Sequence, residues 1–121
     1  MPRFEACDPA SQKCVSTRND AGYPAFEPVP FLCTPEEAMA AVQAVILEHP
    51  RTKIVVEDGL YLSTQFITRV IRWKDTVQFE VDPDAKVIHF RSDSVPYAGS
   101  DFGANRKRMK LVTGMLRAKL D

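Results

Sequence analysis

Thr76-Val77-Gln78-Phe79-Glu80-Val81-Asp82-Pro83-Asp84-Ala85-Lys86-Val87-Ile88-His89-Phe90-Arg91-Ser92 is the stretch that decides the fold. Val77, Phe79 and Val81 alternate with polar residues, and Ile88 and Phe90 do the same further on. That period of two marks strands with one buried face. The intervening Asp82-Pro83-Asp84-Ala85 carries turn-forming residues. A four-residue loop there pairs Val81 with Lys86, Phe79 with Ile88 and Val77 with Phe90, so that apolar side chains oppose one another. Thr76, Gln78, Glu80, His89 and Arg91 then fall on the other face. The stretch predicts an antiparallel hairpin.

Moving toward the N-terminus, Lys53–Glu57 and Leu60–Thr64 flank Asp58-Gly59, a strong hairpin signal in which both turn positions take positive φ. The strand pattern then runs on to Trp73, too long for one ordinary strand, and predicts a bulge, bend or break near Phe66–Arg69. Before it, Thr34-Pro35-Glu36-Glu37 opens a helix. Thr34 is the N-cap, Pro35 suits the first helical position and Glu37 completes a capping box. Ala38, Ala41, Val42, Val45 and Ile46 form the buried stripe, and His49-Pro50 ends the helix, with His49 set against the C-terminal dipole. A last helix starts at about Asp101 or Gly103 and reaches Leu120, with Met109, Val112, Met115, Leu116 and Leu120 as its stripe, weakened by Gly114.

Residues 1–33 hold five of the nine prolines. They predict an irregular arm anchored by Phe4, Tyr23, Phe26 and Phe31. The expected fold is α+β: an antiparallel four-stranded meander packed on one face by an N-terminal and a C-terminal helix, with residues 1–33 as a Pro-rich arm and 34–121 as a single domain.

The whole chain of 121 residues carries 16 Lys+Arg and 16 Asp+Glu, with 45% hydrophobic and 26% charged residues. That is ordinary globular composition, sufficient for one domain. No apolar run reaches the roughly 20 residues that span a bilayer. Met1-Pro2-Arg3-Phe4-Glu5-Ala6-Cys7 lacks the apolar core of a secretory signal, so a cytoplasmic chain is expected. Charge balance removes the simplest case for a nucleic-acid binder, but it conceals an asymmetry. Residues 101–121 hold six bases and two acids, a net +4, which leaves −4 on residues 1–100. A basic last helix docked against an acidic body follows. Nucleic-acid association through Arg106, Lys107, Lys110, Arg117 and Lys119 is a minor alternative, since few aromatics stand nearby to stack on bases.

Cys7, Cys14 and Cys33 show no Cys-x-x-Cys spacing, and His49 and His89 lie far from them, so neither a zinc site nor a catalytic cysteine is expected. Cys7 and Cys14 would close a short disulfide loop in an oxidising compartment, but free thiols are the expectation for a cytoplasmic chain. No metal or cofactor is expected.

The junction Arg91-Ser92-Asp93-Ser94-Val95-Pro96-Tyr97-Ala98-Gly99-Ser100-Asp101-Phe102-Gly103-Ala104-Asn105-Arg106-Lys107-Arg108 is crowded with hydroxyls, glycines and bases. Arg106, Lys107 and Arg108 oppose the positive end of the helix dipole and call for negative charge. Internal compensation comes from Asp101 as a cap and from Asp93 or Asp75 paired with Arg91, Arg106 or Arg108. External compensation comes from a phosphate or carboxylate held by Arg91, Arg106, Ser92, Ser94 and backbone N–H groups. Ion-pair networks imitate sites, and the internal reading is the commoner. The ligand-binding candidates are Arg91, Ser92, Ser94, Asn105, Arg106, Arg108 and His89. The structural candidates are Asp101, Gly103, Asp75 and Asp93.

No catalytic residue is singled out. His89 and Ser92 stand three apart on a strand and point to opposite faces, which argues against a Ser–His dyad. No nucleophile elbow, phosphate loop or dinucleotide fingerprint is present. A hydrolase or transferase acting on an anionic substrate, with His89 as base, is the enzymatic alternative. The preferred reading is a non-enzymatic protein that binds a small anionic or amphiphilic ligand, or a protein partner, near this junction.

Lys13-Cys14-Val15-Ser16, Tyr61-Leu62, Arg91-Ser92-x-Ser94 and Ser100-Asp101-Phe102-Gly103-Ala104-Asn105-Arg106-Lys107-Arg108 together resemble the DUF1499 family, whose name records an unknown function. The resemblance runs from about Lys13 to Leu120. It implies that Cys14, Arg91, Ser92, Ser94, Asp101, Gly103, Asn105, Arg106 and Arg108 are signature positions, without assigning them roles. The chain departs from the pattern at Val95, where a base is usual, in a stretch to Ser100-Asp101 one residue longer, and at Lys74-Asp75, where paired aspartates are usual.

Overall fold

A computed structural model describes residues 4, 7, 14–18, 26–69, 72–94 and 104–120. The elements run β1 (Cys14–Ser16), β2 (Val29–Pro30), α1 (Pro35–Glu48), β3 (Thr52–Asp58), β4 (Tyr61–Ile67), β5 (Lys74–Asp82), β6 (Val87–Asp93) and α2 (Ala104–Leu120). The strands form one antiparallel sheet in the order β1-β6-β5-β4-β3, and β2 also pairs with β6. The expected α+β class and the β3–β6 meander are present. The sheet has six strands rather than four because two segments of the arm, β1 and β2, pair with the outer edge of β6. Pro30 tolerates that position because an outermost strand needs no second row of donors.

The α1 start follows its sequence. Glu37 N–H donates to Thr34 Oγ1 at 3.1 Å, and Thr34 N–H donates back to Glu37 Oε1 at 3.2 Å. Such a cap contributes about 1 kcal/mol. Ala38, Val42, Val45 and Ile46 are buried, joined by Met39. Buried residues alternate along β4, β5 and β6, and Leu62, Val77, Phe79, Val81, Ile88 and Phe90 line the face covered by α1 and α2. α2 contributes Met109, Val112 and Leu116 to the same core. Each such large side chain, fully buried, contributes roughly 1.5–3 kcal/mol.

The hairpin register differs from the expected one in an instructive way. The loop is Pro83–Lys86, one residue later than expected, so Asp82 pairs with Val87, Val81 with Ile88, Phe79 with Phe90 and Val77 with Ser92. Two side-chain contacts set it: Asp82 Oδ1 accepts from Asp84 N–H at 2.9 Å and from Ala85 N–H at 3.0 Å. Lys86 takes φ 56° to close the loop. Moving a loop by one residue shifts partners by two, which keeps every side chain on its face. The first hairpin slips likewise, with Asp58 opposite Tyr61 and only Gly59 at positive φ, 61°. The break after β4 is present: β4 ends at Ile67, and Thr68 and Trp73 clamp the connection through Thr68 N–H to Trp73 O and Trp73 N–H to Thr68 Oγ1, both 2.8 Å.

The free-thiol expectation for Cys7 and Cys14 is corrected: they form a disulfide, with Cα atoms 5.7 Å apart. Pairing of Cys14 opposite Asp93 on β6 places it where the buried Cys7 reaches it. Cys33 is a free thiol. No helix among the described residues is long and apolar enough to cross a membrane.

Candidate functional site

Asn105 and Arg108 lie three apart on α2 and therefore on one helix face. That face meets Ser92 of β6, Ser94 just past its end, and Asp75 of β5. Asn105 Nδ2 donates to Ser94 Oγ at 2.8 Å, and Ser92 Oγ donates to Asn105 Oδ1. Arg108 Nη1 donates to Asn105 Oδ1 at 2.6 Å and to Ser92 Oγ at 3.2 Å, while its Nη2 donates to Asp75 Oδ2 at 2.6 Å. Ser92 and Asn105 are fully buried, and Asp75 is 1% exposed. The guanidinium also lies 5.3 Å over the Phe66 ring. This network ties the first turns of α2 to the sheet, with Asp75 supplying the negative charge that Arg108 needs.

The structure separates the remaining candidates. Successive residues of β6 face opposite ways, so His89, Arg91 and Asp93 lie across the sheet from Ser92. Arg91 Nη2 donates to Asp93 Oδ2 at 3.2 Å. His89 Nδ1 lies 2.8 Å from Thr17 Oγ1, and Arg18 pairs with Glu80 beside it. Burial holds the His89 pKa below its ordinary value, reinforced by Arg18 and opposed by Asp82 and Glu80. Arg106 is exposed, with its guanidinium 5.1 Å over the Phe26 ring. Asp101 and Gly103 lie outside the described residues. The expected ligand cluster therefore divides into a buried lock, a separate polar face and an exposed arginine.

The other side of Arg108 opens onto something the sequence reading missed. A cleft of about 290 Å³ lies between the end of α1, the end of β4 and α2, and Arg108 lines it together with His49, Arg51, Arg69, Phe66 and Leu111. That volume suits a small headgroup. Three arginines converge there, and the described residues of its lining include no carboxylate. Arg51 adopts φ 58°, an uncommon conformation for an arginine, and its Nε donates to Ile67 O at 3.2 Å. Leu111 is 58% exposed at the rim. His49 packs on Phe66 with ring centroids 5.5 Å apart, and its Nε2 is buried without a hydrogen-bond partner. No local motif marks this convergence: the observed β3–β4 register, with Thr52 opposite Phe66, brings residue 51 beside 67, where Ile67 N–H donates to Arg51 O at 2.9 Å. A larger hollow of about 500 Å³ is lined, among the described residues, by Pro30, Phe31, Leu32, Arg117 and Leu120, of which Arg117 alone is charged.

The fold and the lock define a small α+β protein in which a six-stranded antiparallel sheet carries two helices on one face. The chain belongs to the family described as "Protein of unknown function (DUF1499)", whose model matches residues 6–116. A search of curated proteins finds no match.

Proposed function

We propose that the chain is a non-enzymatic binding protein whose ligand is a small amphiphilic anion, with its headgroup held in the Arg51–Arg69–Arg108 cleft and its apolar part against Phe66 and Leu111. The observation that carries this reading is the convergence of three arginines on one cleft whose described lining residues include no carboxylate. Asp75 sits behind Arg108 and orients it, so the guanidinium is fixed before a ligand arrives. A phosphate, sulfate or carboxylate group matches the forked donors of arginine. The separation of His89 from Ser92 across the sheet supports binding over catalysis, because a base must reach the group that it activates. The disulfide fits an oxidising compartment.

Trp73, the only tryptophan, is hydrogen-bonded to Thr68 in the cleft wall and serves as a fluorescence reporter. Titration with octyl sulfate below its micellar concentration tests the reading, with octyl glucoside as the uncharged control. The expected result is saturable, salt-sensitive binding of the sulfate alone, weakened about three- to tenfold by Arg51→Ala and by Arg69→Ala, a loss of about 0.7–1.4 kcal/mol each. Both arginines are exposed, so these variants fold. Equal response to both octyl compounds, or unchanged affinity in both variants, refutes it.

A further inference from the structure

We propose that His49 is the proton-taking member of this cleft, so that anion binding and protonation of its imidazole are linked. The proposal rests on the anion reading above and adds a residue and a regulation to it. His49 caps α1. Its backbone N–H donates to Ile46 O at 3.2 Å, and its carbonyl accepts from Thr52 Oγ1 at 3.2 Å. The backbone is thus anchored on both sides, and the ring is set against Phe66, the ring over which Arg108 also lies. Nε2 is buried and has no partner. The ring lines the cleft while Nε2 itself is closed off from solvent, so an anion in the cleft acts on the imidazole through its charge.

The surrounding charges fix the direction of the linkage. Arg108 of α2, Arg51 of the turn after α1 and Arg69 of the connection after β4 line the cleft with the ring. Two carboxylates lie near, and each has its own cation: Asp75 of β5 pairs with Arg108 at 2.6 Å, and Glu48 of α1 pairs with Lys119 of α2 at 2.8 Å. The local field is therefore positive and disfavours an imidazolium in the empty cleft. Burial first and Arg108 second push the His49 pKa below its ordinary value of 6.5, with Glu48 opposing. An anion offsets that field, so the bound state favours the proton. By linkage, affinity rises as pH falls through the histidine range.

Octyl sulfate is the probe because its headgroup does not titrate between pH 5.5 and 8. A bound-state pKa about one unit above the empty one makes binding about three- to sevenfold tighter at pH 5.5 than at pH 8. Calorimetry in two buffers of different ionisation heat then reads proton uptake on binding, and the His49 ring resonance titrates higher at saturation. His49→Gln loses the pH dependence of octyl sulfate binding, while His89→Gln retains it. Binding that does not vary with pH, or a His49→Gln protein as pH-dependent as wild type, overturns the proton linkage and leaves the anion site standing. Absence of binding at every pH overturns both. The ring titration of unsubstituted protein decides the matter even if His49→Gln fails to fold: an unshifted His49 resonance at saturation refutes the linkage.

Discussion

Replacing Arg108 by alanine removes the cation from a carboxylate that the fold has buried. The Asp75 side chain is 2% exposed and the Arg108 side chain 13%, with 2.6 Å between Nη2 and Oδ2. Breaking such a pair from one side costs about 3–5 kcal/mol, because the remaining charge is left without compensation. Asn105 Oδ1 and Ser92 Oγ lose a donor as well, and the Phe66 ring loses its cation. These contributions belong to one network and do not add. Against a total stability of about 5–15 kcal/mol, the variant is expected to lose on the order of 10–20 °C in Tm. Urea unfolding followed by circular dichroism measures the change. Adding Asp75→Asn to Arg108→Ala removes the stranded charge and restores about 1–2 kcal/mol, so the double variant is more stable than Arg108→Ala alone. Two results refute the reasoning: an Arg108→Ala protein within 1 kcal/mol of wild type, or a double variant less stable than the single one.

Gly114 lies exposed within α2, and a Cβ built there meets nothing within 4 Å, so Gly114→Ala is expected to stabilise by about 0.8–1 kcal/mol; a lower urea midpoint contradicts this. Reduction of Cys7–Cys14, which lie seven positions apart, releases a short loop and is expected to cost about 2.5 kcal/mol, read as a lower Tm in reductant; an unchanged Tm contradicts it. His49 and His89 both have pKa values held below 6.5 by burial, so the unfolded chain binds more protons than the folded one in the histidine range. Stability is therefore full above that range and declines as pH falls through it, and the decline flattens in a His49→Gln/His89→Gln protein. Stability that rises with acidification from pH 7.5 to 5.5 contradicts the sign.

Local chemistry was legible without coordinates wherever one short segment settles its own conformation. Thr34-Pro35-Glu36-Glu37 starts α1 because a cap and its box need only four residues. The alternation of Val77, Phe79, Val81, Ile88 and Phe90 assigned faces that survived a two-residue change in pairing, because a strand has a period of two. The same period already set His89 and Arg91 apart from Ser92, and it divides the candidates once the sheet is in place. What the chain's order could not reveal depended on partners distant in sequence. β1 and β2 are short segments of a proline-rich arm, and only the open edge of β6 makes strands of them. Asp75 meets Arg108 across 33 positions because β5 and α2 pack together. The anion cleft draws on a helix end, a hairpin end and a second helix, each unremarkable alone. A side chain's neighbours along the chain decide its helix or strand, whereas its charge partners are decided by packing, which brings together residues that the sequence holds far apart.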